Sequence, residues 1–262
     1  TSARANTQYA LAAATQAVRQ AGLDVAKINA RRFGAYLGAG EGLLDFDNYA
    51  DTQLAAWDAE KRTLNTRTWA RCAYERLTPE REIEQEAHMT LSHVAWALGC
   101  RGPASNCLTA CAASIQAIGE ATEILRRGDA DVMISGGAHT MIHPLGVTGF
   151  IRLTALSSRA DEHTTVPRPF DQTRDGFVMG EGSGMLVLET LEHARARGAK
   201  VLAEISGYGS SADAFRITDM HPEGEGPKAA MTGALRQAGI NPREPLPDGR
   251  PPIQWISAHG TG

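Results

Sequence analysis

Along the chain, short unbroken apolar runs alternate with longer stretches in which apolar residues recur every three or four positions. The run DVMISGG from Asp131 has the continuous hydrophobicity of a strand covered on both faces, and GSGMLVLET from Gly182 repeats it. Residues 111–127 carry Ile115, Ile118, Ala121, Ile124 and Leu125 at helical spacing and end in two arginines before Gly128, which predicts a capped helix. Strand follows helix repeatedly, the alternation of an α/β fold. A short charged helix, LEHARARGA, and a new strand, KVLAEISGYG, come after the run from Gly182.

Two of these units resemble each other. AAATQAVRQAGL at 12–23 and AAMTGALRQAGI at 229–240 align without a gap, with eight identities in twelve positions. Gly22 and Gly239 stand at the two predicted helix ends, and each copy leads on to an apolar run, FGAYLGAGEG from Phe33 and IQWISAHGTG from Ile253. The pattern predicts a duplicated α/β unit, with a boundary at the composition break near Lys200 that separates halves 1–199 and 200–262. NPREPLPDGRPP is a surface loop of the second half. The chain begins directly with a helix and stops on a glycine turn, so a fold truncated at both ends is expected.

Composition narrows the classes. The chain has 262 residues, 42% hydrophobic and 21% charged, enough for a sizeable core without staples. It has no run of eighteen apolar residues and no signal-peptide pattern at its start, so no membrane association is expected and the cytoplasm is the simplest address. A net charge of −4 without a basic stripe argues against a nucleic-acid partner. Cys72, Cys100, Cys107 and Cys111 are then expected as free thiols.

Cys111 stands where strand-like NCLT gives way to a helix whose first acid is Glu120. A thiol at a helix N-terminus is held as thiolate by unpaired N–H groups and the helix dipole. Close packing of a Cys-Ala-Ala turn would place a cysteine there equally well. His259 follows the apolar run IQWISA, at the strand end where α/β folds gather their catalytic groups, although a lone histidine there is also compatible with a structural role. On related halves of a duplicated fold, the two residues would face each other across the seam. No metal is expected: HTMIH lacks the glutamate of a zinc-protease motif, and Cys107 and Cys111 have no second pair.

Taken together, TACAAS around Cys111, GDADVMISGGA from Gly128, LGVTGF to Phe150, ALSSR to Arg159, RPFDQTRDGFVMGEGSGMLVLE from Arg168 and the closing AHGTG resemble the β-ketoacyl-ACP synthases, elongating condensing enzymes of fatty acid and polyketide synthesis. The resemblance implies a thiolase-like fold of two pseudo-duplicated halves in α-β-α-β-α layers. It implies Cys111 as acyl-accepting nucleophile and His259 as one of two histidines facing a malonyl thioester, without any cofactor. Phe150 matches a pocket-lining aromatic, although a core phenylalanine would also be buried there.

Family members continue to a lysine, a second histidine and a glycine-rich loop that these residues do not include, so the 262 residues are expected to be inactive alone. Residues 43–102 are longer and more charged than in housekeeping members. Glu86 falls there where an apolar gate residue is expected, or else faces outward on a dimer-edge helix. The implied partners are an acyl carrier protein, met by Arg4, Arg152 and Arg159, and a second subunit in a homodimer or related heterodimer. A non-catalytic chain-length-factor subunit and a Cys-His acyl hydrolase are the alternatives, and the intact TACAAS weighs against the first.

Overall fold

The computed structural model describes residues 5–40, 45–160, 164–217 and 219–262; Arg4 lies outside the described residues. Residues 1–190 with 261–262 form one unit and 191–260 a second. In chain order the first unit carries α1 (Ala5–Gln20), β1 (Phe33–Ala39), α2 (Phe46–Ala56), β2 (Trp57–Asp58), β3 (Thr63–Leu64), α3 (Thr66–Arg76), α4 (Pro79–Ile83), α5 (Met89–Leu98), β4 (Ala104–Cys107), α6 (Ala113–Arg126), β5 (Val132–His139), α7 (Pro144–Arg152) and β6 (Gly182–Glu189). The second carries α8 (Leu191–Ala196) and α9 (Glu225–Ala238).

Strands β4, β1, β5 and β6 form the main sheet, in that order, among the described residues. β1 runs parallel to β4 and β5, whereas β6 returns antiparallel to β5. Side-chain alternation along the strands divides the sheet between two helix layers. Phe33, Ala35 and Leu37 of β1 join Val132 and Ile134 of β5 in a buried cluster with Ala10 and Ala14 of α1 and Leu91 and Val94 of α5. Met133, on the opposite parity, packs with Ala121, Ile124 and Leu125 of α6, with Tyr36 and Leu188 alongside. Each large apolar side chain so buried contributes about 1.5–3 kcal/mol. A 3.0 Å hydroxyl pair, Thr7 to Thr90, joins α1 to α5 within the first layer.

The face toward α6 is unusual for its small residues. A Cβ on Gly38 would stand 2.4 Å from the Ala113 backbone, and one on Gly137 would stand 2.9 Å from the Ser114 Cβ. Glycine at both positions therefore lets α6 settle directly on the strands. The buried residues of α6 include Ala113, Ala117, Ala121, Ile124 and Leu125, with Ile115 exposed. The helical spacing is as expected: of the predicted stripe Ala121, Ile124 and Leu125 are buried and Ile118 is half-buried, and Ile115 alone is exposed. A close-packed helix accepts alanine at the interface and turns the larger Ile115 away.

The predicted strands KVLAEISGYG and IQWISA form no β-ladder among the described residues. A strand exists by pairing its backbone with a neighbour. Here the glycines of the first segment instead meet a helix: Cβ atoms on Gly207 and Gly209 would stand 2.1 and 2.0 Å from the Ala234 and Ala230 carbonyl oxygens of α9. In the second, Trp255 and Ile256 are 85% and 69% exposed, so the burial expected of that run is not present.

Candidate active site

Cys111 is placed by the junction between β4 and α6. β4 ends at Cys107, which is in register with Gly38 of β1, and Gly38 is in register with Gly137 of β5. This row marks the C-terminal ends of the parallel strands. The chain then turns through a single 3₁₀ turn, Ala110–Ala112, before α6 begins at Ala113. The helix expected to start at Cys111 thus starts two residues later, and Cys111 lies exposed on the turn in front of it.

Ala110 has φ +49°, a conformation in which its Cβ crowds the backbone. Ala110 lies in the turn that leads from β4 to α6, which is seated on Gly38 and Gly137. The Ala113 N–H donates to the Ala110 carbonyl and the Ala112 N–H to the Thr109 carbonyl at 3.1 Å. The Cys111 N–H has no acceptor among the described residues. The first turn of α6 contains no acid, so no carboxylate opposes the helix dipole there.

The other thiols differ in setting. Burial pushes the Cys100 thiol up to about 12, and Cys72 is the buried residue of α3. Cys107 Sγ lies 3.3 Å from Thr109 Oγ1 and 3.6 Å from Gln116 Oε1, with Thr109 Oγ1 donating to that same oxygen. This cluster pins the loop on which Cys111 rises.

The second unit presents His259 exposed after the 253–258 segment. His139 ends β5 beside Gly40, whose Cβ would stand 2.9 Å from the imidazole. His143 caps α7, its Nδ1 accepting from the Gly146 N–H at 3.3 Å. His143 therefore has a local structural role, and no cluster of three metal-ligating side chains occurs among the described residues.

Phe150 of α7 is half-buried, edge-on to Phe177 with centroids 5.5 Å apart and planes at 80°. Glu86 is exposed in the turn between α4 and α5. The buried acid of that region is Glu84, both of whose oxygens lie within 3.0 Å of His93 Nε2. Asp45, also buried, accepts from Arg81 at 2.8 Å. Arg152 is exposed in the last turn of α7. Arg159 is engaged rather than free: its Nε lies 3.5 Å from Asp175 Oδ1, and its Nη2 donates to the Thr173 carbonyl at 3.1 Å.

Sequence reasoning gave Asp175 no role, although it lies in the RDGF run, and it missed Glu84. An acid directly before a glycine, facing two serines in ALSSR, was the available signal for Asp175. For Glu84 the signal was an acid nine residues before the histidine of the mainly apolar α5.

The chain matches the family model "Beta-ketoacyl synthase, N-terminal domain" over residues 2–194 and "Beta-ketoacyl synthase, C-terminal domain" over 202–262. It is 42% identical over 255 residues to a 3-oxoacyl-[acyl-carrier-protein] synthase 2 of Staphylococcus aureus, covering 97% of this chain and 57% of that protein. Among solved structures, a beta-ketoacyl synthase from Burkholderia phymatum is similar at TM-score 0.80 and 30% identity, over 99% of this chain and 57% of that one. A type II polyketide acyl-carrier protein in complex with its ketosynthase is similar at TM-score 0.77 and 33% identity, over 92% and 57%. The chain spans just over half the length of these relatives. No helix among the described residues is long and apolar enough to cross a membrane. With a thiolase-like arrangement of sheet and helices, and both domain models matched in order along its length, the chain belongs to the β-ketoacyl synthase family.

Proposed function

We propose that this chain carries the acyl-accepting cysteine and one imidazole of a decarboxylating condensing enzyme of fatty acid or polyketide synthesis, working in the cytoplasm with an acyl carrier protein and a second synthase subunit. The observation that carries the reading is the placement of Cys111: exposed on a strained turn, at the entrance of a helix free of acid in its first turn, with its own N–H unpartnered among the described residues. The halves 1–199 and 200–262 correspond in this reading to the nucleophile-bearing half and the start of its duplicate.

In the first step the Cys111 thiolate attacks the carbonyl of an acyl-ACP thioester, a new C–S bond forms, and the carrier thiolate leaves. One thioester replaces another, so the step is nearly balanced and requires a nucleophile and oxyanion donors rather than a strong driving force. The Cys111 N–H is one such donor. In the second step malonyl-ACP loses CO2, and the electron pair passes into an enolate whose oxygen His259 stabilises as an N–H donor. The enolate carbon attacks the acyl carbonyl, the carbon–carbon bond forms, and Cys111 leaves as thiolate. Phe150 lines the acyl chain's path, Glu86 stands at its gate, and Arg4, Arg152 and Arg159 meet the acidic carrier.

Two variants separate the steps in the full-length protein. Cys111→Ala abolishes labelling by radioactive acyl-ACP, whereas His259→Ala retains the acyl label and loses condensation by about 10²–10³-fold. Equal loss of labelling in both would count against these roles. Release of free acid without malonyl-ACP would instead favour the hydrolase.

A further inference from the structure

The segment 155–159 and the segment 171–178 are held together more firmly than their surface position requires. Phe177 N–H donates to the Ala155 carbonyl at 3.0 Å, and Ser157 N–H donates to the Phe177 carbonyl at 3.1 Å. Between them the Asp175 carboxylate accepts from Ser157 Oγ at 2.7 Å and from the Ser158 N–H and Oγ at 3.1 and 3.3 Å, with Arg159 at 3.5 Å. These hydrogen bonds, that from Ser157 foremost, hold the Asp175 carboxyl below its ordinary range.

Gly176 comes next with φ +139°, and a Cβ there would stand 2.5 Å from the backbone of Leu156 and Ser157, so only glycine allows the two segments to close. The residue this geometry delivers is Phe177, whose ring meets Phe150 edge-on at 5.5 Å. Both rings are half-buried, so each keeps an open flank. The same turn also borders the chain's closing glycines: a Cβ on Gly262 would stand 3.1 Å from the Gly176 carbonyl oxygen.

We propose that Asp175 is a positioning residue: its carboxylate fixes the 175–177 turn so that Phe177 stays edge-on to Phe150, and the two rings form one aromatic wall along the acyl chain bound to Cys111. This rests on the reading of Phe150 as a pocket residue. The carboxylate touches no substrate and acts through Phe177. Its loss leaves the thiol intact and changes which chain lengths fit, because a displacement of a fraction of an ångström in a packed wall alters how a chain lies against it.

The experiment measures kcat/KM for Cys111 acylation in the full-length protein with a short and a long saturated acyl-ACP, and takes the ratio. Phe150→Ala and Asp175→Ala both shift that ratio, the latter by about tenfold, whereas Asp175→Asn, which keeps an acceptor oxygen, falls between it and wild type. The iodoacetamide rate of Cys111 stays within about twofold, which a general loosening of the fold would not allow. Should Asp175→Ala fail to fold, Ser157→Ala removes the 2.7 Å donor and shifts the ratio the same way by about two- to threefold. A shift with Phe150→Ala but none with the Asp175 or Ser157 variants overturns the positioning role and leaves the pocket reading standing. No shift with Phe150→Ala overturns the pocket reading and the positioning role with it.

Discussion

In both copies of the repeat the helix ends in the same pair of hydrogen bonds. Gly22 N–H donates to the Arg19 carbonyl and Leu23 N–H to that of Val18, both at 3.1 Å. In the second copy Gly239 N–H donates to Arg236 at 3.1 Å and Ile240 N–H to Leu235 at 2.9 Å, and the two glycines have φ +60° and +67°. Past the caps the copies diverge. The first leads to β1, a strand buried along nearly its whole length, and the second to 253–258, which forms no ladder among the described residues and exposes Trp255 and Ile256. A helix and its cap are closed within a dozen residues and form wherever that sequence occurs, whereas a strand is completed only by its neighbours.

Hydrogen exchange gives the widest separation between the two copies. In the 262 residues by themselves, amides of 34–38 are expected to be protected by about 10⁴-fold or more, and those of 253–258 to exchange close to the free-chain rate. Comparable protection of both would remove the contrast. Next in size, Leu37→Ala is expected to cost about 3–5 kcal/mol in urea denaturation, as a fully buried side chain leaves a cavity that the sheet and helices cannot close. Trp255→Ala, at the matching run of the second copy, stays within about 0.5 kcal/mol in the same 262 residues.

The caps sharpen the comparison from the other side. An added Cβ at Gly22 or Gly239 meets no atom within 4 Å, so Gly22→Ala and Gly239→Ala each carry only the left-handed backbone strain, about 1 kcal/mol, and equally in both copies. Unequal costs would show that the caps are not local.

Acid acts on both units by the same route. Asp175 and Asp171 in the first, and Asp213 in the second, accept hydrogen bonds that hold them below the ordinary carboxylate value of 3.8. Their contribution to stability is complete above 3.8 and is lost as pH falls below it through their folded-state values. Acid denaturation followed at each unit is therefore expected to begin below about pH 4, and to begin earlier in the variant Asp175→Asn.

Much of the fold was legible because its signals are local. The apolar runs at Phe33, Asp131 and Gly182, the helical spacing after Cys111 and the glycine caps each mark one element. The site was legible in part. TACAAS marked the candidate thiol, but the sequence did not reveal that glycines on two neighbouring strands seat α6, since Gly38 and Gly137 become neighbours only through sheet register. The same holds for Asp175, whose partners Ser157 and Ser158 lie eighteen and seventeen residues earlier, and for Arg159, which pairs with that same Asp175. The exposure of Ile115 escaped the sequence pattern because hydrophobicity ranks it above Ala113 and Ala117, whereas close packing reverses that order.

The most direct test of the account is mass mapping of the full-length protein after incubation with acyl-ACP alone. The account predicts one acyl group in thioester linkage on the peptide containing Cys111, none on Cys72, Cys100 or Cys107, and its disappearance into product when malonyl-ACP is added. An acyl group found elsewhere, or none on Cys111, would contradict it.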